Sequence, residues 1–283
     1  MKVLVTGARG LLGAAITREF EAGHEVLALD RGVLDVTDAG AVERVVSDAR
    51  PDLVVNCAAY NNVDGAEEAP ETALDVNAFA VLSLARAAAR AGAIMVHFSS
   101  DFVFDGESDT PYTEADRANP QGAYAASKLL GDWFALETER AYVLRVESLF
   151  GPPAGAGSRR GSLGTIVDRI QAGEEVPVFV DRTVSPSYTP DIAGAVRALV
   201  ETHAAPGLYH CVNTGHATWA TIAEGIAETL DMPLRMRPMT LASAGLRARR
   251  PRYCALSNAK LRAAGVEMPD WQTALREFLL HER

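Results

Sequence analysis

Cysteine is scarce in this 283-residue chain, and its three copies, Cys57, Cys211 and Cys254, lie far apart. No C-x-x-C or similar spacing occurs. That excludes a disulfide framework or a thiolate metal site and points to reduced thiols in a cytosolic setting. Basic charge is also short: 27 Lys and Arg face 37 Asp and Glu, for a net charge of -10 and a pI of ≈ 5.1. Such a balance speaks against a nucleic-acid partner, which requires a basic face. One local exception, Arg247, Arg249, Arg250 and Arg252, suits a small anionic ligand better than a duplex. Long apolar runs are missing too: no stretch approaches the ~18 uninterrupted apolar residues that span a bilayer. The first residues, Met1 to Gly7, enter a strand at once, without the basic and apolar regions of a signal peptide. The expectation is a cytoplasmic protein with no membrane or nucleic-acid partner.

What is present is an ordinary core-forming composition, 48% hydrophobic and 23% charged. Through the first half, apolar bursts alternate with helical patterns. Val3–Val5, Glu25–Leu29, Leu53–Cys57, Ile94–Phe98 and Ala141–Val146 read as strands. Leu12–Ala22, Ala39–Ala49, Ala66–Ala91 and Tyr124–Thr138 read as helices, with Thr37-Asp38 as a cap on the second. Consecutive rather than alternating apolar residues suit strands buried on both faces. Repeated βα units of this kind predict a doubly wound parallel sheet, an α/β Rossmann-like fold. After Gly151 the rhythm is lost. The loop over 152–158 precedes a mixed half, with helices near 163–172, 191–202 and 218–230 and strands near 176–180 and 207–212. The expected division is a cofactor-binding domain over 1–150, with 189–204 packing back on it, and a smaller substrate lobe over 151–283.

Three motifs carry chemistry. Gly7-x-x-Gly10-x-x-Gly13 follows a strand and opens a helix, where glycines let backbone approach a pyrophosphate at the helix N-terminus. Asp30 closes the second strand about 20 residues on, where a carboxylate holds a ribose diol. Arg31 beside it, and Arg9 in the turn, can instead meet a 2′-phosphate, so NADPH and NADH both stay open. Ser100 and Asp101 end a strand at the carboxyl edge of the sheet, the ligand-binding edge of such folds. Tyr124 and Lys128 stand four residues apart, on one helix face. A phenol titrates near ~10, and a neighbouring ammonium is expected to lower that value. His97 reads as a packed residue, and Trp133, Trp219 and Trp271 as packing.

On Thr6–Gly13, Asn56–Tyr60, Ser99–Gly106 and Tyr124–Lys128, the chain resembles the extended short-chain dehydrogenase/reductase family. Asp35-Val36-Thr37-Asp38, Val63-Asp64-Gly65, Val76-Asn77-Ala78, Gly207–His210, Arg249-Arg250-Pro251 and Pro269-Asp270-Trp271 make it look most like the dTDP-4-dehydrorhamnose reductases. The resemblance implies NAD(P)H-dependent reduction of the keto group of a nucleotide-activated 4-keto-6-deoxy sugar. Tyr124 would be the proton donor, Lys128 would lower its pKa and hold the nicotinamide ribose, and Ser100 would polarise the keto oxygen. Cofactor contacts would come from Gly7, Arg9, Gly10, Leu11, Leu12, Gly13, Asp30, Arg31, Asp35, Val36, Cys57, Ala58, Ala59 and Tyr60. Substrate contacts would come from Val63, Asp101, Phe102, Ser148, Arg249 and Arg250, the two arginines near the diphosphate.

Several positions depart from the resemblance. Gly65 stands for a lysine, Phe102 for a tyrosine and Ser148 for a tryptophan, and Asp181–Ser187 varies the usual motif. All belong around the sugar pocket, so the sugar stays open while the redox set is complete. Ala15 and Pro190 stand where some members carry metal-binding carboxylates at a dimer contact, so no metal is expected and a homodimer stays open. A nucleotide-sugar epimerase and a non-catalytic NAD(P)-binding subunit remain alternatives on the same fold. A dehydratase fits less well, because Asp101 is followed by Phe102 rather than a second acid.

Overall fold

Residues 1–153, 155 and 161–280 are described by the structure, a computed structural model. The loop expected over 152–158 lies mostly outside them. Six strands form one parallel sheet: β1 (Lys2–Thr6), β2 (Glu25–Leu29), β3 (Leu53–Asn56), β4 (Ile94–Ser100), β5 (Ala141–Val146) and β6 (Gly207–His210). Their order across the sheet is β6-β5-β4-β3-β1-β2. The direction of travel reverses at β1 and β3, so a crevice opens there beyond the strand ends. Every residue of β4 and β5 is buried, the apolar ones together with His97, Ser99, Ser100 and Arg145.

Helices cover both faces. Leu11–Glu21 and Thr189–Glu201 pack together over one face, around Val5, Ile16, Val96, Leu144 and Val196. Ala39–Ala49 and Ala80–Ala91 cover the other, around Leu4, Val54, Leu84 and Met95. Asp38 caps Ala39–Ala49 by accepting from Ala41 N at 2.9 Å. The return of the chain to the sheet after 188 extends beyond a helix, since β6 completes the sheet beside β5. A separate core gathers Phe150, Leu163, Ile166, Val178, Ile226, Trp271 and Phe278. It is built from Gly161–Gln171, Glu175–Phe179, Trp219–Leu230 and Trp271–Leu280.

The stretch expected to be largely helical over 66–91 is helical in several pieces. Val63–Glu68 ends at Ala69, because Pro70 has no N–H to continue the ladder and opens the next helix, Pro70–Leu74. A π-helical turn, Asp75–Phe79, then leads into Ala80–Ala91. The run Pro70–Ala91 is long and apolar enough by length and composition to cross a membrane, yet half of its apolar window is buried inside the fold.

The arginine-rich segment is pinned against the first half of the chain. Arg250 forks onto Asp64, with contacts of 2.9 and 2.8 Å, and Ala248 N donates to the same carboxylate at 2.8 Å. Arg247 pairs with Glu68, and Arg249 donates to Gln121 at 2.9 Å. The hydrogen bonds from Arg250, followed by that from Ala248, hold the Asp64 carboxyl at about 2. A depressed folded-state value means stability that is complete above the ordinary carboxylate range and lost as pH falls towards 2. Asp64 is 40% exposed, so water screens the pair and limits it to about 0.5–1 kcal/mol. Arg250→Ala is therefore expected to lower Tm at neutral pH by about 1–2 °C. The difference should shrink below pH ~3, as read by calorimetry. Equal Tm values at pH 7 would show that the clamp carries no stability.

Candidate active site

The glycine turn lies at the switch point, between the ends of β1 and β3. Gly7 has φ +65°, and a Cβ on it would fall 2.7 Å from Ala58 N. A Cβ on Gly13 would fall 2.3 Å from Gly7 O. Only hydrogen fits at either place, so the turn stays tight and the N-terminus of Leu11–Glu21 remains open to an anion. A cavity of about 550 Å³ starts there and runs along the carboxyl ends of β4 and β5. This cradle fits an adenine dinucleotide.

The structure brings most of the sequence-derived set to this cavity. Arg9, Gly10, Leu11, Leu12, Gly13, Cys57 and Ala59 line one side, and Ser100, Asp101, Phe102, Tyr124, Lys128 and Ser148 line the other. Ser148 holds φ +42°, an uncommon conformation for a side-chain-bearing residue, on the cavity wall. Asp30 lies beside a neighbouring cavity with Arg9, whose Nε sits 2.8 Å from its carboxylate. Arg31 reaches towards Asp35 at 3.5 Å, and Asp35 also accepts from Thr37 N and Oγ1. Val36 is buried in the core. Ala58 N donates to Asn56 at 3.2 Å, so Ala58 is set by the end of β3. Val63, Tyr60 and Phe102 pack around Tyr124. Arg249 and Arg250 do not line the cavity; they are engaged in the clamp described above.

Tyr124 and Lys128 share a face of the helix Ala123–Leu136. Glu67, from a distant helix, accepts from Ala123 N at 2.7 Å and satisfies one free N–H of its first turn. Lys128 is 3% exposed, and its Nζ donates to Phe98 O, near the end of β4, at 2.6 Å. Burial lowers Lys128 to about 8, against the opposing charge of Asp132. Asp132 is itself paired with Arg145 at 3.2 Å. The phenol departs from expectation. Burial pushes Tyr124 up and the charge of Asp101 pushes it further, with only the Ser100 hydroxyl offsetting part. Burial outweighs any lowering by the Lys128 ammonium, which donates to the Phe98 carbonyl. Tyr124 is thus firmly protonated at neutral pH.

Two features escaped the sequence reading. Asn77, inside the π-helical turn, bonds Tyr60 N and O at 2.9 and 3.1 Å and Ser127 Oγ at 3.0 Å. It ties the cofactor-side loop to the Tyr124 helix, and such turns commonly mark functional places. Glu147 and Arg182 lie close behind Ser100. Arg182 falls in the stretch Asp181–Ser187 already placed around the sugar pocket, but no motif announced its pairing with Asp101 or the part of Glu147. His97 is fully buried, with Nδ1 3.2 Å from Asn56 Nδ2, and burial keeps it neutral.

A doubly wound sheet with a glycine turn at its switch point and a Ser/Tyr/Lys set on the adjoining edge defines a nicotinamide-dependent oxidoreductase of the short-chain type. The family model for the RmlD substrate binding domain matches residues 1–283, and the chain belongs to that family. It is 37% identical to the dTDP-4-dehydrorhamnose reductase of Streptomyces griseus, over 97% of this chain and 91% of that protein. It is 35% identical to the spore coat polysaccharide biosynthesis protein SpsK of Bacillus subtilis, over 98% and 96%. Among solved structures, the dTDP-4-dehydrorhamnose reductase of Bacillus anthracis in complex with NADP superposes with a TM-score of 0.93 at 30% identity, over 99% of each chain.

The glycine cradle yields a direct test. Gly13→Ala must push the turn apart, an overpacking cost of about 1–3 kcal/mol. NADPH binding, followed by fluorescence titration, is expected to weaken by about tenfold or more. Unchanged affinity would place the pyrophosphate elsewhere.

Proposed function

We propose that this chain is an NADPH-dependent reductase of the keto group of a nucleotide-activated 4-keto-6-deoxy sugar, in the manner of the dTDP-4-dehydrorhamnose reductases. The observation that carries the reading is the placement of Ser100, Tyr124 and Lys128 on one cavity that begins at the glycine turn. Residues 1–150, with 189–210 returned to the sheet, act as the cofactor domain, and the rest of 151–283 supplies the substrate lobe.

A bound nicotinamide supplies the hydride that reduces the keto carbon. Tyr124 gives its phenolic proton to the keto oxygen. A phenol kept protonated by burial is the correct form for a donor, and the reaction leaves it as a phenolate. Lys128, charged below about 8, stabilises that phenolate and holds the ribose. Its bond to Phe98 O fixes where the ammonium stands. Asp30 is already paired with Arg9, which reduces its repulsion of a 2′-phosphate and favours NADPH, with Arg31 alongside. Val63, Asp101, Phe102 and Ser148 surround the sugar. A second cavity, of about 270 Å³, adjoins the first at Ser162 and is lined by Arg169, Arg182, Phe179 and Trp219. Its Phe179 and Trp219 walls suit a flat base at the nucleotide end, whereas Arg249 and Arg250 lie outside both cavities.

The test follows NADPH consumption with a dTDP-linked 4-keto-6-deoxy sugar. Tyr124→Phe is expected to lower kcat by ~10²-fold or more while the KM for NADPH stays near wild type. Wild-type kcat should decline as pH rises through about 8, because Lys128 then loses the charge the phenolate needs. Near-normal turnover in Tyr124→Phe would remove Tyr124 from the chemistry. Equal reaction of the free sugar, without its nucleotide, would remove the nucleotide-sugar reading.

A further inference from the structure

Beside Ser100, on the cavity wall, lies a buried knot of charge whose protonation the reduction described above leaves unspecified. Asp101, Glu147 and Cys254 are 3%, 2% and 1% exposed. One oxygen or sulfur atom from each lies within 4.8 Å of the others. Such a spacing suits a cation, and the cation there is the guanidinium of Arg182. Its Nη2 stands 3.6 Å from Asp101 Oδ2 and 3.5 Å from Cys254 Sγ. Its Cζ lies 5.2 Å from the centre of the Phe102 ring, which in turn meets Tyr124 edge-on at 5.4 Å. The other titratable groups acting on the knot are the Tyr124 and Tyr253 phenols.

Two buried carboxyls therefore share one guanidinium. With both ionised, the knot would hold an unmatched negative charge away from water, which is costly. With one proton retained, it is neutral. The hydrogen bonds point the same way. Glu147 Oε2 accepts from Ser185 N at 2.5 Å, and Asp101 Oδ1 accepts from Ser100 Oγ at 2.8 Å. Glu147 Oε1 and Asp101 Oδ2 are buried without a hydrogen-bond partner. Asp101 Oδ2 faces the Arg182 guanidinium at 3.6 Å, and one oxygen of Glu147 lies within 4.8 Å of one of Asp101, so one retained proton serves both carboxyls. Burial raises both carboxyls, and the charge of Asp101 raises Glu147 further.

We propose that Asp101 and Glu147 hold one proton between them, and that its position directs the hydroxyl of Ser100. This rests on the keto-reductase reading, in which Ser100 donates to the substrate carbonyl. With the proton on Glu147, Asp101 is ionised and draws the Ser100 hydrogen to itself, as seen here. With the proton on Asp101, its Oδ1 becomes a weaker acceptor, and the Ser100 hydrogen is released to the keto oxygen. The proton moves only between the two carboxyls, so the count of protons in the knot is constant and Arg182 stays charged throughout. Glu147 and Arg182 are positioning residues that act through Asp101 and Ser100.

Glu147→Gln keeps an acceptor for Ser185 N but cannot hold the proton. Asp101 then stays ionised and keeps the Ser100 hydrogen. The expected result is a kcat about tenfold lower, the scale of one misdirected hydrogen bond, with the KM for NADPH unchanged. Added to Asp101→Asn, whose side chain is neutral in any case, Glu147→Gln should bring no further loss. Infrared spectra of the free protein near neutral pH should show the C=O stretch of an un-ionised buried carboxyl. The band should vanish in Glu147→Gln and persist in Glu147→Asp. Absence of the band from the wild-type protein would overturn the proposal, as would losses from Asp101→Asn and Glu147→Gln that simply add. The infrared readout needs no substrate, so it is decided separately from the keto-sugar reading.

Discussion

The buried ammonium of Lys128 is the constraint around which this molecule is arranged. Enclosing an unpaired charge costs several kcal/mol even after relaxation, so the surroundings must answer it. Phe98 turns a carbonyl to it at 2.6 Å near the end of β4. Asp132, one helical turn on, supplies negative charge and is held by Arg145 from β5. Those partners lock the register between the helix Ala123–Leu136 and the sheet. Gly131 lets the helix approach closely, since a Cβ there would lie 2.2 Å from Asn77 O. The phenol of Tyr124 is then presented to the cavity as a consequence of how Lys128 is held.

Charge is distributed asymmetrically about that phenol. On the Lys128 side, two cations, Lys128 and Arg145, flank one carboxylate, Asp132. On the Ser100 side, two carboxyls, Asp101 and Glu147, flank one cation, Arg182. The first arrangement favours negative charge developing on the tyrosine oxygen, and the second favours retention of a proton. A site with this polarity suits delivery of a proton from the phenol to a carbonyl oxygen. The raised Tyr124 pKa is part of the same design, because it keeps the proton on the donor until a carbonyl arrives.

Much of this was legible in the residues. The largely apolar runs of β4 and β5, the Asp38 cap and the i, i+4 pair of Tyr124 and Lys128 are local signals, and each reads correctly without tertiary information. What escaped was set by distant partners. The π-helical turn at Asp75–Phe79 goes with bonds from Asn77 to Tyr60 and Ser127, which no local pattern encodes. The strand Arg235–Met239 is absent from the strands expected of the sequence, since it carries two arginines and a proline; pairing with Glu175–Phe179 makes it a strand. Arg250 and Asp64 lie 186 residues apart, so an arginine cluster suggested an anion site where the fold uses it as a clamp. Glu147 and Arg182 are single charged residues whose meaning appears only when β5 and the 179–183 segment converge.

The most direct test of the central claim is the titration of Lys128 itself. The chain has only three lysines, Lys2, Lys128 and Lys260, so ¹³C-labelled lysine would resolve each side chain by NMR. The buried ammonium is expected to titrate at about 8, against a usual value of 10.5 for lysine. Its signal should sit apart from the other two and move when Asp132→Asn removes the carboxylate beside it. A Lys128 that titrates with the other two, and ignores the loss of Asp132, would contradict the buried-ammonium account.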